Sequence, residues 1–179
     1  MDYSIEEHRH RFAAWAASRA ASVRTCRFKV EQGKIILEAA GVKTLGENID
    51  HLPSPGQFDL SHRNWRNAVI QAAQEIQLQY THGIAAKLIN IYLKSIFICG
   101  PQYTDPKICA IHPPIDSILL DEFYHKDIGG FRQKWNQYRK IRWSKLSSDQ
   151  YESLISLIKK ITPENAGLWT VEQYWRGYQ

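Results

Sequence analysis

A chain of 179 residues with 44% hydrophobic and 12% aromatic content is long enough for one good core and too apolar to be disordered over its bulk. Its three cysteines, Cys26, Cys99 and Cys109, are too few and too widely spaced for a disulfide framework or a cysteine zinc site, and they point to a reducing cytoplasm. The net charge of +5 is local: six cations and no carboxylate lie between Phe131 and Lys145, which leaves 17 cations against 18 carboxylates elsewhere, and a local basic patch points to an anionic partner.

The segment after Met1, Asp-Tyr-Ser-Ile-Glu-Glu-His-Arg-His-Arg, has no apolar signal region, so neither secretion nor membrane anchoring is expected. Ser4-Ile5-Glu6-Glu7 fits a capping box and predicts a helix to about Val23, with alanines at spacing four for a close helix neighbour. On that helix the turn His8 to Arg11 is expected to face water, opposite Phe12 and Trp15. Val30 to Ala40 predicts a second helix with Ile36, Leu37 and Ala40 inward and Gly41 ending it. A strand over Arg27 to Leu37 is the alternative, since Phe28-Lys29-Val30 alternates and Gln32-Gly33 can turn. Leu52-Pro53-Ser54-Pro55-Gly56 is a loop, and Ser61 is the expected cap of a helix through Trp65, Val69, Ala73 and Leu78.

After the turn Tyr80-Thr81-His82-Gly83 comes Ile84 to Ile98, the one helix-length run that is apolar almost all the way round. Lys87, Asn90 and Lys94 form its single polar stripe, at spacings of three and four. Such a helix belongs in a core; it is too short and too charged for a membrane span, which takes roughly twenty apolar residues. Gly100-Pro101 stops it, and Pro113-Pro114 preset a further helix to about Tyr124 with Asp116 in its first turn. Gly129-Gly130 breaks the chain before a short basic helix from Phe131. Ser147-Ser148-Asp149-Gln150 is a second capping box opening a helix to Ile161, and Thr170 to Gln173 predicts a last turn. The whole reads as all-α: one compact domain, residues 1–179, of seven or eight helices around Ile84 to Ile98.

The basic aromatic segment carries the strongest binding signal. Arg132, Lys134, Arg139, Lys140, Arg142 and Lys145 can neutralise phosphates while Trp143 stacks on an exposed base. Nucleic acid, DNA before RNA, is therefore the first expected partner, and a protein partner at the surplus Trp and Tyr surface is the second. Seven histidines form no HExxH and no close Cys/His set, so no metal or other cofactor is expected and the imidazoles are read as surface or hydrogen-bonded groups. Lys87 and Asp116 are the candidate catalytic pair, as a partly shielded amine nucleophile and a carboxylate at a helix start.

Gly83-Ile84-Ala85-Ala86-Lys87-Leu88 followed by Ile115-Asp116 resembles, over about forty residues, the helix-hairpin-helix DNA glycosylase superfamily. The resemblance implies an all-α fold, a DNA phosphate held by backbone N–H groups at the His82-Gly83 turn, and Asp116 as the catalytic carboxylate of a glycosylase or lyase. The pattern differs in having one glycine in the turn and no downstream histidine, the lysine of bifunctional members would fall near Ile84, and in another register His112 takes the place of the aspartate. The chain as a whole also resembles small bacterial helical proteins. Three roles are thus open: nucleic-acid binding, a subunit of a larger bacterial assembly, and base excision.

Overall fold

The computed structural model describes residues 3–178, and among them there is no strand. Ser4 opens α1 (Ile5–Ala21) by accepting the Glu7 N–H at 3.2 Å. The Glu7 carboxylate does not return to the cap but binds Arg11 Nε at 2.6 Å, so only half of the expected capping box forms. The inner face of α1 is the alanine stripe Ala13, Ala14, Ala17 and Ala21, all buried. These small side chains let α5 (His82–Leu93) and α2 (Val30–Ala39) pack closely on α1. His8, Arg9 and Arg11 face water as expected, but His10 is only 3% exposed, while Phe12 and Trp15 are 57% and 51% exposed rather than inward. One face cannot hold both the alanines and the aromatics, and close helix approach selects the alanines.

α2 is helical where a strand was the alternative; Val23 and Cys26 form one isolated bridge before it. Gly41 ends it at φ 74°, in the left-handed region that favours glycine. α3 (Val42–Glu47) and two short 3₁₀ turns, Ile49–His51 and Pro55–Gln57, lead to α4 (Phe58–Glu75). Ser61 therefore lies inside α4 rather than capping it, because Pro55 already fixes a helical turn ahead of Phe58. At the other end Gln77 takes φ 62° and Leu78 N–H folds back on the Ala73 carbonyl at 2.9 Å, closing α4 before Leu78.

α5 is buried nearly all round, and two apolar clusters meet on it. Ile84, Ala85, Leu88, Ile89 and Leu93 pack with α1, α2 and α4, while Ala86 packs with the C-terminal helices. The run continues past Leu93 as a π-helical turn, Lys94–Ile98, rather than as regular helix. A short α6 (Pro106–Cys109), capped by Asp105, follows the π turn.

Pro113 and Pro114 lie outside any helix and are buried, so α7 (Ser117–His125) starts later than the prolines suggest. Asp116 is its N-cap and accepts Leu119 N–H at 2.9 Å. α8 (Arg132–Ile141) follows a 3₁₀ turn, and α9 (Ser148–Ile161) carries the expected capping box, Ser147 with Gln150. A 3₁₀ segment, Leu168–Tyr174, closes the C-terminal cluster. The three cysteines are unpaired, and no helix among the described residues is long and apolar enough to cross a membrane.

The seam between the clusters is tight at Gly83, where a Cβ would stand 1.8 Å from the Trp143 carbonyl oxygen. Gly83→Ala gains helix propensity of up to about 1 kcal/mol but must push backbone apart. A net loss of about 2 kcal/mol in urea unfolding is the expected outcome.

Candidate functional site

The polar stripe of α5 faces protein rather than water. Lys87 is 6% exposed and its Nζ lies 3.2 Å from Asp116 Oδ2. The same oxygen accepts Trp175 Nε1–H at 2.9 Å, and Oδ1 takes the helix-cap bond from Leu119. Burial lowers the Lys87 pKa, against the opposing pull of Asp116. Two turns on, Lys94 pairs with Glu172, whose pKa burial raises. The two candidate catalytic residues are thus brought together, as one of two ion pairs that stitch α5 to the C-terminal half.

Above this seam lies a groove of about 500 Å³ between α7 and the end of α8. Arg139, Lys140, Arg142 and Trp143 line it from one side, with Ser117 and Asp121 from α7 on the other. Arg139 is held by Asp121 and stacks over the Tyr124 ring at 4.3 Å. Lys140 and Arg142 are exposed and make no ion pair among the described residues. Arg142 sits at φ 70°, ψ 131°, a conformation that costs a residue with a Cβ about 1–3 kcal/mol. The Trp143 ring lies 5.3 Å from Lys87 Nζ. Behind it, Gly83, Lys87 and Asn90 line a slot too narrow for water.

The remaining predicted binding residues do not join this groove. Arg132, Lys134 and Lys145 are exposed but lie outside its lining, and Arg132 is 4.0 Å from Asp127. His82 lies partly buried in the field of Arg66, and burial lowers its pKa. Gly83 N–H donates to the Leu146 carbonyl at 3.3 Å and Ile84 N–H to Thr81 Oγ1 at 3.2 Å. Of the backbone donors that the helix-hairpin-helix resemblance would offer to a phosphate at the His82-Gly83 turn, that of Gly83 is therefore occupied within the chain.

Three histidines are buried: His10, which was expected to face water, and His62 and His112, which take the hydrogen-bonded form of the expectation. His62 and His112 are 0% and 2% exposed, with rings 4.3 Å apart. The Asn90 carboxamide accepts from His62 Nε2 at 2.8 Å and donates to the Pro113 carbonyl at 3.1 Å and Tyr151 Oη at 3.0 Å. His112 completes the ring of bonds through Tyr151 Oη at 3.1 Å and Asp59 at 3.0 Å. Arg66, fully buried, holds Glu152 at 2.7 Å and lays its guanidinium 4.5 Å over the Tyr151 ring. Arg63, then Arg66 and Ser148, hold the Glu152 pKa down at about 2. Spacing carries the missed signal: His62 falls four residues after Phe58 and seven before Val69, on the apolar face of α4, and His10 falls three, four and seven before Ala13, Ala14 and Ala17.

Among the described residues no three His, Cys, Asp or Glu side chains are placed to hold a metal ion. Comparison of the chain with protein-family models, curated proteins and solved structures finds no match.

Removing the Lys87 charge leaves Asp116 and Trp175 in a half-made cluster. Lys87→Met is expected to cost about 3 kcal/mol by denaturant unfolding, and the double change with Asp116→Leu clearly less than the sum of the singles.

Acid should unfold the protein from near neutrality. Burial holds His10, His62 and His112 below the ordinary histidine pKa of 6.5, so below that pH the unfolded chain takes up protons that the folded chain refuses. Their stabilising effect is complete above about pH 6.5 and is lost as pH falls, at up to about 1.4 kcal/mol per pH unit for each histidine. Urea midpoints between about pH 7.5 and 5.5 test this, and His112→Gln should flatten the slope.

Proposed function

We propose that this is a nucleic-acid-binding protein whose contact surface is the α7–α8 groove. One observation carries the reading: four side chains of the basic aromatic segment, Arg139, Lys140, Arg142 and Trp143, converge on a single groove, and two of the three cations there carry no carboxylate partner among the described residues. Cations of that kind neutralise backbone phosphates and release counterions, and an indole beside them offers a stacking face for an unpaired base. Single-stranded nucleic acid is the fitting form, because only an unstacked base can reach an indole set into a groove. The preference for DNA over RNA rests on the helix-hairpin-helix resemblance alone. No chemistry is assigned to Lys87 and Asp116, whose charged atoms are taken up by each other and by neighbouring groups. A borohydride trap on DNA with an abasic site tests the lyase alternative, which an adduct at Lys87 would restore.

A second reading, an interaction subunit of a larger assembly, draws on α1. Ile5, Phe12 and Trp15 stand at spacings of seven and three on one face and are each more than half exposed, more apolar surface than a lone helix face usually shows to water.

Salt separates the two. Binding of labelled oligonucleotides should weaken with salt at a log–log slope of about −1.4, about −0.7 per phosphate for single strands, and Lys140→Ala and Arg142→Ala should each make it shallower by about 0.7. Arg142→Gly is expected to weaken binding alike while raising stability by about 1 kcal/mol, since glycine relieves the strained φ. Oligonucleotide affinity that ignores both salt and these changes would leave only the protein-partner reading.

A further inference from the structure

The outer face of α1 is a second contact surface. Ile5, Phe12, Trp15 and Arg19 follow one another at spacings of seven, three and four and so fall on one side of the helix. All four are exposed, the three apolar ones by more than half. The opposite side carries Ala13, Ala14, Ala17 and Ala21, buried where α5 and α2 pack on α1, so close packing holds the exposed stripe in place. The Phe12 and Trp15 rings lie side by side, with centroids 5.9 Å apart. A partner that covers them meets a preset pair, and little side-chain freedom is lost on their account.

Charge points to the kind of partner. From His8 to Val30 the sequence has six cations, Arg9, Arg11, Arg19, Arg24, Arg27 and Lys29, and no carboxylate. All six are exposed. Arg11 is bonded to Glu7 and Arg9 lies in the field of Glu6, whereas Arg19, Arg24, Arg27 and Lys29 make no ion pair among the described residues. Both carboxylates of α1, Glu6 and Glu7, stand in its first turn. Unanswered positive charge therefore gathers at the far end of the helix and in the turn beyond it. Five of the six cations are arginines, which, with aromatic side chains, are where the energy of protein interfaces concentrates. A guanidinium also takes a carboxylate through two parallel hydrogen bonds.

Other occupants fit this surface less well. A second copy of α1 would bring arginine against arginine, because no carboxylate between residues 8 and 30 answers them. Nucleic acid has the charge without an apolar stripe at helical spacing. A helix with an apolar side and carboxylates beside it has both.

We infer, resting on the second reading above, that the outer face of α1 docks an acidic amphipathic helix of a partner protein. Its apolar side chains cover Phe12 and Trp15, and its carboxylates lie toward Arg19 and the turn that follows.

The test uses the full chain and three labelled peptides of about three heptads, followed by fluorescence anisotropy. The first has leucine at the first and fourth positions of each heptad and glutamate and alanine elsewhere; the second replaces its glutamates by lysine; the third scrambles the first. The glutamate peptide is expected to bind at least about tenfold more tightly than either of the others. Phe12→Ala and Trp15→Ala should each weaken it by about tenfold or more, and Arg19→Glu should do so mainly by slowing association. Thermal melting confirms that these variants, all at exposed positions, are folded. Equal affinity for the lysine peptide, still lost in Trp15→Ala, keeps α1 as a protein contact but overturns the acidic partner. Equal affinity for the scrambled peptide, or displacement of the glutamate peptide by oligothymidylate, leaves charge alone at work and overturns the helix. A sedimenting dimer that Trp15→Ala dissolves hands the face to a second copy and overturns the inference. Failure of all three peptides to bind takes the second reading down with it.

Discussion

Everything in this molecule turns on a primary amide buried in the middle of α5. Asn90 is 1% exposed and has its carboxamide bonded to His62 of α4, the Pro113 carbonyl and Tyr151 of α9. An unmet amide in such a place costs of the order of 1–3 kcal/mol for each lost partner, so α4, the Pro113 segment and α9 must all dock on α5 in one register. Apolar packing alone is permissive about sliding and rotation; the Asn90 bonds are not. They explain how one helix can serve two apolar clusters without the halves finding alternative arrangements.

The same seam is reinforced on either side of Asn90 by Lys87 with Asp116 and Lys94 with Glu172. A lysine stripe on a core helix would ordinarily be its wet edge. Here the C-terminal half covers that edge with carboxylates delivered by a helix cap and a 3₁₀ segment. Desolvation makes such pairs poor sources of net stability, but they penalise any docking that leaves one charge alone. That is the difference between a structural and a catalytic use of the same residues: Asp116 already serves a lysine, an indole N–H and a helix end.

The two surfaces proposed for function lie on opposite sides of this seam and depend on it differently. The α7–α8 groove is shaped by how Trp143 and Arg142 fold back over Gly83, at the cost of a strained backbone at Arg142. The outer face of α1 belongs to the N-terminal cluster, where the alanine face of the same helix, packed on α5 and α2, leaves Phe12 and Trp15 outside. Loss of one site therefore need not disturb the other.

The sequence by itself determined the helices and the centre. The apolar circumference of Ile84 to Ile98, the Ser147 capping box and the glycine after α2 are local signals, read over one or two turns, and the structure follows them. Local patterns also located the basic segment and the Lys87–Asp116 pair. Only the tertiary structure decided what those groups face. Whether α1 buries alanines or aromatics depends on how near another helix comes, and helix spacing is a property of the packed pair. Whether His10, His62 and His112 meet water or one another depends on partners 28 to 82 residues away, a distance over which no local pattern speaks. The Gly83 amide looked free because the carbonyl that occupies it arrives from Leu146, and the desolvation that lowers the pKa of the buried histidines exists only once the whole chain has closed around them.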